Sequence, residues 1–87
     1  MKHLLLLLAL AAPLPEPKFA LGDRVNLKSV GFYRNCKWPG FVEFLVGYSS
    51  PAKTYLYRVS VDCPTARGGS FVEMLEVEEG ELLNAKS

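Results

Sequence analysis

The chain has 87 residues, 49% of them hydrophobic, 11% aromatic and 22% charged, with a formal net charge of +1 at pH 7. That length admits one domain, the composition excludes a wholly disordered chain, and the near-neutral balance argues against a module that grips nucleic acid through its phosphates. A core built from so few residues is marginal, so a cross-link or a partner subunit is expected to reinforce it.

Met1-Lys2-His3 precedes an unbroken apolar run of nine residues, Leu4 to Ala12. A basic start and a short apolar stretch are the pattern of a secretory signal, and the run is too short to span a bilayer. Residues 1–12 are therefore read as a signal peptide or apolar leader, with Ala9-Leu10-Ala11 supplying small residues for cleavage after Ala11. Cleavage would make the protein periplasmic or secreted; an uncleaved leader would leave it cytoplasmic or membrane-associated. Pro13, Pro15 and Pro17 then deny the chain helical backbone, so 13–18 reads as an extended Pro-rich linker and 19–87 as the domain.

Within the domain the period is two. Gly22-Asp23 makes a turn, and Val25 and Leu27 alternate with Asn26 and Lys28 in a half-buried first strand, 24–29. Residues 30–39 read as a loop holding Tyr33, Arg34, Cys36, Lys37 and Trp38. A second strand, 41–48, puts Val42, Phe44 and Val46 on one face, and Ser49-Ser50-Pro51 is turn chemistry. A third strand, 54–62, alternates Tyr55, Tyr57, Val59 and Val61 with Leu56, Arg58 and Ser60; a fourth spans 71–77. Residues 78–82 are too few for a stable α-helix and predict a single 3₁₀ turn before a short last strand near Leu83. The expectation is an all-β fold of four to five antiparallel strands, with Val25, Leu27, Val42, Phe44, Val46, Val59, Val61 and Leu82 in its core.

The order Phe-x-x-Gly-Asp-Arg-Val, Tyr57-Arg58-Val59 and the closing Val77 to Leu82 turn resembles small SH3-like barrels. Phe19, Gly22, Asp23, Arg24, Val25, Lys28 and Ser29, then Trp38-Pro39-Gly40 and Val46-Gly47-Tyr48, are similar to the first half of the plasmid-borne type B dihydrofolate reductases, which confer trimethoprim resistance. That resemblance implies an SH3-like subunit, assembly around a shared pore, and NADPH and folate as ligands. The family's Val-Gln-Ile-Tyr segment, however, is Val72-Glu73-Met74-Leu75 here, and Leu27 stands where the family has a lysine. Four copies of Glu73 around one pore would repel the phosphates of NADPH and the glutamate tail of folate, so no reductase activity is expected.

Cys36 and Cys63 are the only cysteines, an even count that in an exported chain favours a disulfide; two partly buried free thiols are the alternative. With His3 in the leader, neither a zinc site nor a Cys–His nucleophile is expected. Glu73 and Glu76 fall on opposite faces of their strand, so no acid–base pair forms, and Glu78, Glu79 and Glu81 read as a solvated turn. Eight basic and three acidic residues lie between Lys18 and Arg67, and five glutamates with one lysine occupy the stretch from Gly68 onward. The bland reading is that these ends neutralise each other across the barrel.

Aromatic rings with arginine or lysine beside them are common anchors of recognition, and loops on a rigid scaffold usually carry it. Tyr33, Trp38 and Tyr48, with Arg34 and Lys37 at the rim, are accordingly the candidate partner-binding surface; plugging of the barrel end by Trp38 is the structural alternative. The sequence thus reads as a non-catalytic SH3-like interaction module for a protein or peptide partner, with no cofactor or metal expected. Alternatives are a divergent type B reductase-like protein and a KOW- or Tudor-like nucleic-acid binder, the latter through a loose likeness of Pro39-Gly40-Phe41-Val42 to the KOW turn. Homo-oligomerisation stays open.

Overall fold

The computed structural model describes residues 13–85; the expected signal peptide or leader, 1–12, lies outside the described residues. Five strands form in chain order: β1 (Arg24–Leu27), β2 (Lys37–Ser49), β3 (Thr54–Pro64), β4 (Ser70–Glu78) and β5 (Leu82–Asn84). The expected 3₁₀ turn is Glu79–Glu81, between β4 and β5. A second, not foreseen in the sequence, is Gly31–Tyr33 between β1 and β2, closed by donation from the Tyr33 N–H to Val30 O at 2.7 Å. Gly31 sits at φ 50°, backbone that a side chain would strain.

The strands make one antiparallel sheet in the order β4-β3-β2-β1-β5, curled around its own inner face. The barrel is not closed. β5 is three residues long and committed to β1 through Val25↔Asn84 and Leu27↔Leu82, so no ladder joins it to β4 among the described residues. What faces the free edge of β4 is the first 3₁₀ turn.

Every strand contributes to the core: Val25, Val42, Tyr57, Val59, Val61, Cys63, Leu75, Val77 and Leu82 are buried. β3 supplies four of these nine because it is paired on both sides and places Tyr57, Val59, Val61 and Cys63 on its inner face. Leu27 packs against this core while half-buried. Phe44 and Val46 are corrections: they are 50% and 45% exposed. The register of β2 on β3 shifts between Val42 and Phe44, and again between Leu45 and Gly47. An extra residue in one strand shifts which side chains face inward, and Phe44, Leu45 and Val46 are all exposed, so β2 places no buried residue after Val42.

β2 also begins earlier than its sequence suggests, at Lys37, despite Pro39. A further register shift lies between Lys37 and Phe41, which spares the ladder the N–H that proline lacks. The Pro39-Gly40-Phe41-Val42 stretch is therefore strand, not a turn. Gly40 is buried because β2 crosses close over β3: a Cβ there would collide with the Ser60 carbonyl oxygen and press on Val59. Gly40→Ala should accordingly destabilise the domain by about 1–3 kcal/mol, as overpacking does, read as a lower urea midpoint; an unchanged midpoint would mean the two strands do not approach so closely.

Tyr57 fastens the ends of the domain to its centre. Its ring is fully buried, meets Phe19 edge-to-face at 5.6 Å, and its hydroxyl donates to Glu79 Oε2 at 2.6 Å while accepting from the Phe19 N–H at 3.3 Å. The Lys18 N–H donates to the same Glu79 oxygen at 2.9 Å, and the Tyr55 hydroxyl donates to Pro15 O at 2.7 Å, so the Pro-rich segment lies against the sheet. Burial, then the bond to the Glu79 carboxylate, pushes the Tyr57 phenol from 10.0 up to about 12. The folded state thus holds this proton more tightly than the unfolded chain. The associated stability is complete below pH 10 and is lost as pH climbs from 10 to 12, roughly 2–3 kcal/mol in all. Denaturation across that range should show the loss, and Tyr57→Phe should flatten it while costing about 1 kcal/mol at neutral pH; an equally steep fall in the variant would contradict the assignment.

Candidate functional site

The Cys36–Cys63 disulfide is formed. It joins the segment just before β2 to the last core position of β3, and so pins the first 3₁₀ turn beside β3 and β4. Around it gather most of the residues singled out from the sequence. Tyr33 and Trp38 are half-buried against the core, and the Trp38 Nε1–H donates to Tyr33 O at 2.9 Å. Trp38 therefore packs against the core. Arg34 is exposed and lines a hollow with Gly31, Phe32 and Asn35. Lys37 is exposed and pairs in register with Asp62.

Tyr48 does not join them. It stacks edge-to-face on Tyr55 at 5.1 Å near the β2–β3 turn. The β1–β2 connection precedes β2 and the β2–β3 turn comes after it, so the two stand at opposite ends of a 13-residue strand. Tyr48 is thus not part of one surface with Tyr33 and Trp38.

The sequence does not reveal the seam left by the open sheet. Along the free edge of β4 run two cavities, of about 400 Å³ and about 290 Å³, both bordered by Phe32 and Tyr33. The first meets residues 74–77 of β4, the β1 end at Leu27, and Glu81; the second meets Phe71 and Glu73 beside the disulfide. Phe32 stands between them, 100% exposed. An aromatic ring held on a 3₁₀ turn with no contact to cover it is the strongest apolar feature of the surface. The edge itself is long and regular: β4 pairs with β3 through nine consecutive residues with no bulge, and it carries neither proline nor lysine. Alternate residues of such a strand direct N–H and C=O groups away from the sheet, and among the described residues these outward groups of β4 have no backbone partner.

The outer face of the sheet is also apolar in part, with Phe41, Phe44, Val72 and Met74 exposed. Two polar pairs on it are engaged: the Ser60 hydroxyl donates to Glu43 Oε2 at 2.6 Å, and Arg58 pairs with Glu76 at 3.6 Å. That ion pair is the only one among the described residues, and it joins the basic part of the chain to the acidic part. The seam, by contrast, offers open main-chain groups and an exposed ring together. Val72-Glu73-Met74-Leu75 alternates between the two faces of β4, with Leu75 in the core. Among the described residues no group of three or more His, Cys, Asp or Glu is placed to hold a metal ion, and no helix is long and apolar enough to cross a membrane.

No family model, curated protein or solved structure matches this chain. Its own geometry is therefore the guide to its function.

The disulfide closes a loop across a sequence separation of 27. On the chain-entropy estimate, losing it should lower stability by about 3.5 kcal/mol. Urea unfolding with and without reductant measures that difference, and equal midpoints would show that the bond adds nothing to the fold.

Proposed function

We propose that this chain is a non-catalytic interaction module for a protein or peptide partner, exported, and that the partner seats in the seam between β4 and the first 3₁₀ turn. The observation that carries the reading is Phe32, fully exposed beside an unpaired, unbulged strand edge and between two adjoining cavities. Peptide recognition at a sheet edge draws affinity from main-chain hydrogen bonds and specificity from pockets for alternate side chains, and both elements are at hand. The Cys36–Cys63 bond supports export, since such bonds persist in oxidising compartments. Of the residues nominated from sequence, Tyr33 borders the seam directly and Arg34 lies beside it through Phe32; Trp38 supports Tyr33 from behind.

Selection from a random short-peptide library on the oxidised chain tests the reading. Peptides recovered this way should lose at least tenfold in affinity to Phe32→Ala, about 1.4 kcal/mol. The variant should keep its melting temperature, because a fully exposed ring contributes little to the core. Ligands indifferent to Phe32→Ala would place the site elsewhere.

A further inference from the structure

The side chains bordering the two seam cavities include Glu73, Glu76 and Glu81, and no lysine, arginine or histidine. Glu76 is engaged by Arg58 on the outer face, whereas Glu73 and Glu81 have no ion-pair partner among the described residues. They stand in different cavities: Glu73 near the disulfide, Glu81 beyond Leu27, with Phe32 between. Glu73 is half-buried, so a cation brought to it would be attracted through partly desolvated surroundings, where charge pairing is stronger than in open water.

From this arrangement we infer that the ligand class of the seam is an extended basic peptide, added as a further strand to the edge of β4, with an apolar side chain against Phe32 and a lysine or arginine toward each of Glu73 and Glu81. The inference rests on the seam being the binding site. Edge length sets the ligand length: residues 71–77 span roughly 23 Å, which seven extended residues match. The charges also decide against a second copy of this chain as occupant. Another β4 would bring its own Glu73, Glu76 and Glu78 to an edge that already carries them. Like charges on an edge strand deter self-pairing, and a basic strand is the partner that turns the same charges to attraction.

The probe is a blocked heptapeptide, Thr-Lys-Val-Val-Val-Lys-Thr, whose period-two pattern offers Lys, Val and Lys to one face. It is titrated calorimetrically into the full oxidised chain, with amide chemical shifts followed in parallel. Expected are binding that weakens as salt rises, shifts concentrated on β4 and the first 3₁₀ turn, and at least tenfold weaker binding when both lysines are replaced by glutamate. Glu73→Gln combined with Glu81→Gln should reduce that preference to less than threefold, and N-methylation of alternate peptide amides should weaken binding at least tenfold. Equal affinity for the lysine and glutamate peptides, still sensitive to Phe32→Ala, would overturn the basic-peptide inference and leave the seam as the site. Binding without shifts on β4, or no binding by either peptide, would overturn both. Sedimentation showing a dimer that the peptide cannot dissociate, with β4 amides protected, would assign the edge to a second copy and overturn the inference in its favour.

Discussion

The Cys36–Cys63 bond is the constraint on which the rest of the structure turns. A domain of this size cannot bury enough apolar surface to fix every connection, and the longest excursion before β2 is the segment around the first 3₁₀ turn. That turn has no buried residue of its own. Two later contacts set its position: the disulfide on one side and the bond from the Trp38 indole to Tyr33 O on the other. Held there, the turn faces the edge of β4 without supplying the strand that would close the barrel. One covalent link thus stabilises the fold and shapes its most distinctive opening.

A second set of contacts, centred on Tyr57, works at the other end of β4. The phenol is buried among core side chains and reaches Glu79, which also accepts from the Lys18 N–H. Glu79 lies in the 3₁₀ turn that carries the chain from β4 to β5, so this turn is drawn toward β3 and the chain is delivered to β1. β4 is consequently fixed along one edge by nine residue pairs and at its end by the Tyr57–Glu79 bond, while its other edge stays bare. A rigid, unpaired edge is suited to receiving a strand, because little order has to be imposed when it binds.

Much of the fold is legible in the sequence where one period persists. Tyr57, Val59 and Val61 alternate across β3 and all are buried, and 78–82 is too short for anything but a 3₁₀ turn. The pattern misleads where the period is broken without a residue to announce it. The bulge after Val42 falls at a glutamate, so Phe44 and Val46 continue an alternation in sequence that the backbone has already shifted. Pro39 suggests a loop, yet a register shift lets β2 pass through it. Leu75 and Val77 belong to the core because β4 is paired along its whole length, a tertiary fact rather than a local one. The candidate surface of Tyr33, Trp38 and Tyr48 is split for a topological reason: Tyr48 and Trp38 occupy opposite ends of one long strand. Phe32, next to Gly31 in a connection rich in turn residues, is the readable sign of an exposed ring; the edge it faces emerges only from the strand order.

The central claim is that the disulfide-held seam leaves one edge of β4 open, and amide hydrogen exchange of the free, oxidised chain tests it most directly. Residues 70–78 should show alternation, with the amides bonded to β3 protected and those facing the seam exchanging at rates close to those of exposed loops. Uniform protection along β4 in a monomer would contradict the account, since it would mean that the edge is already paired and no strand can be added.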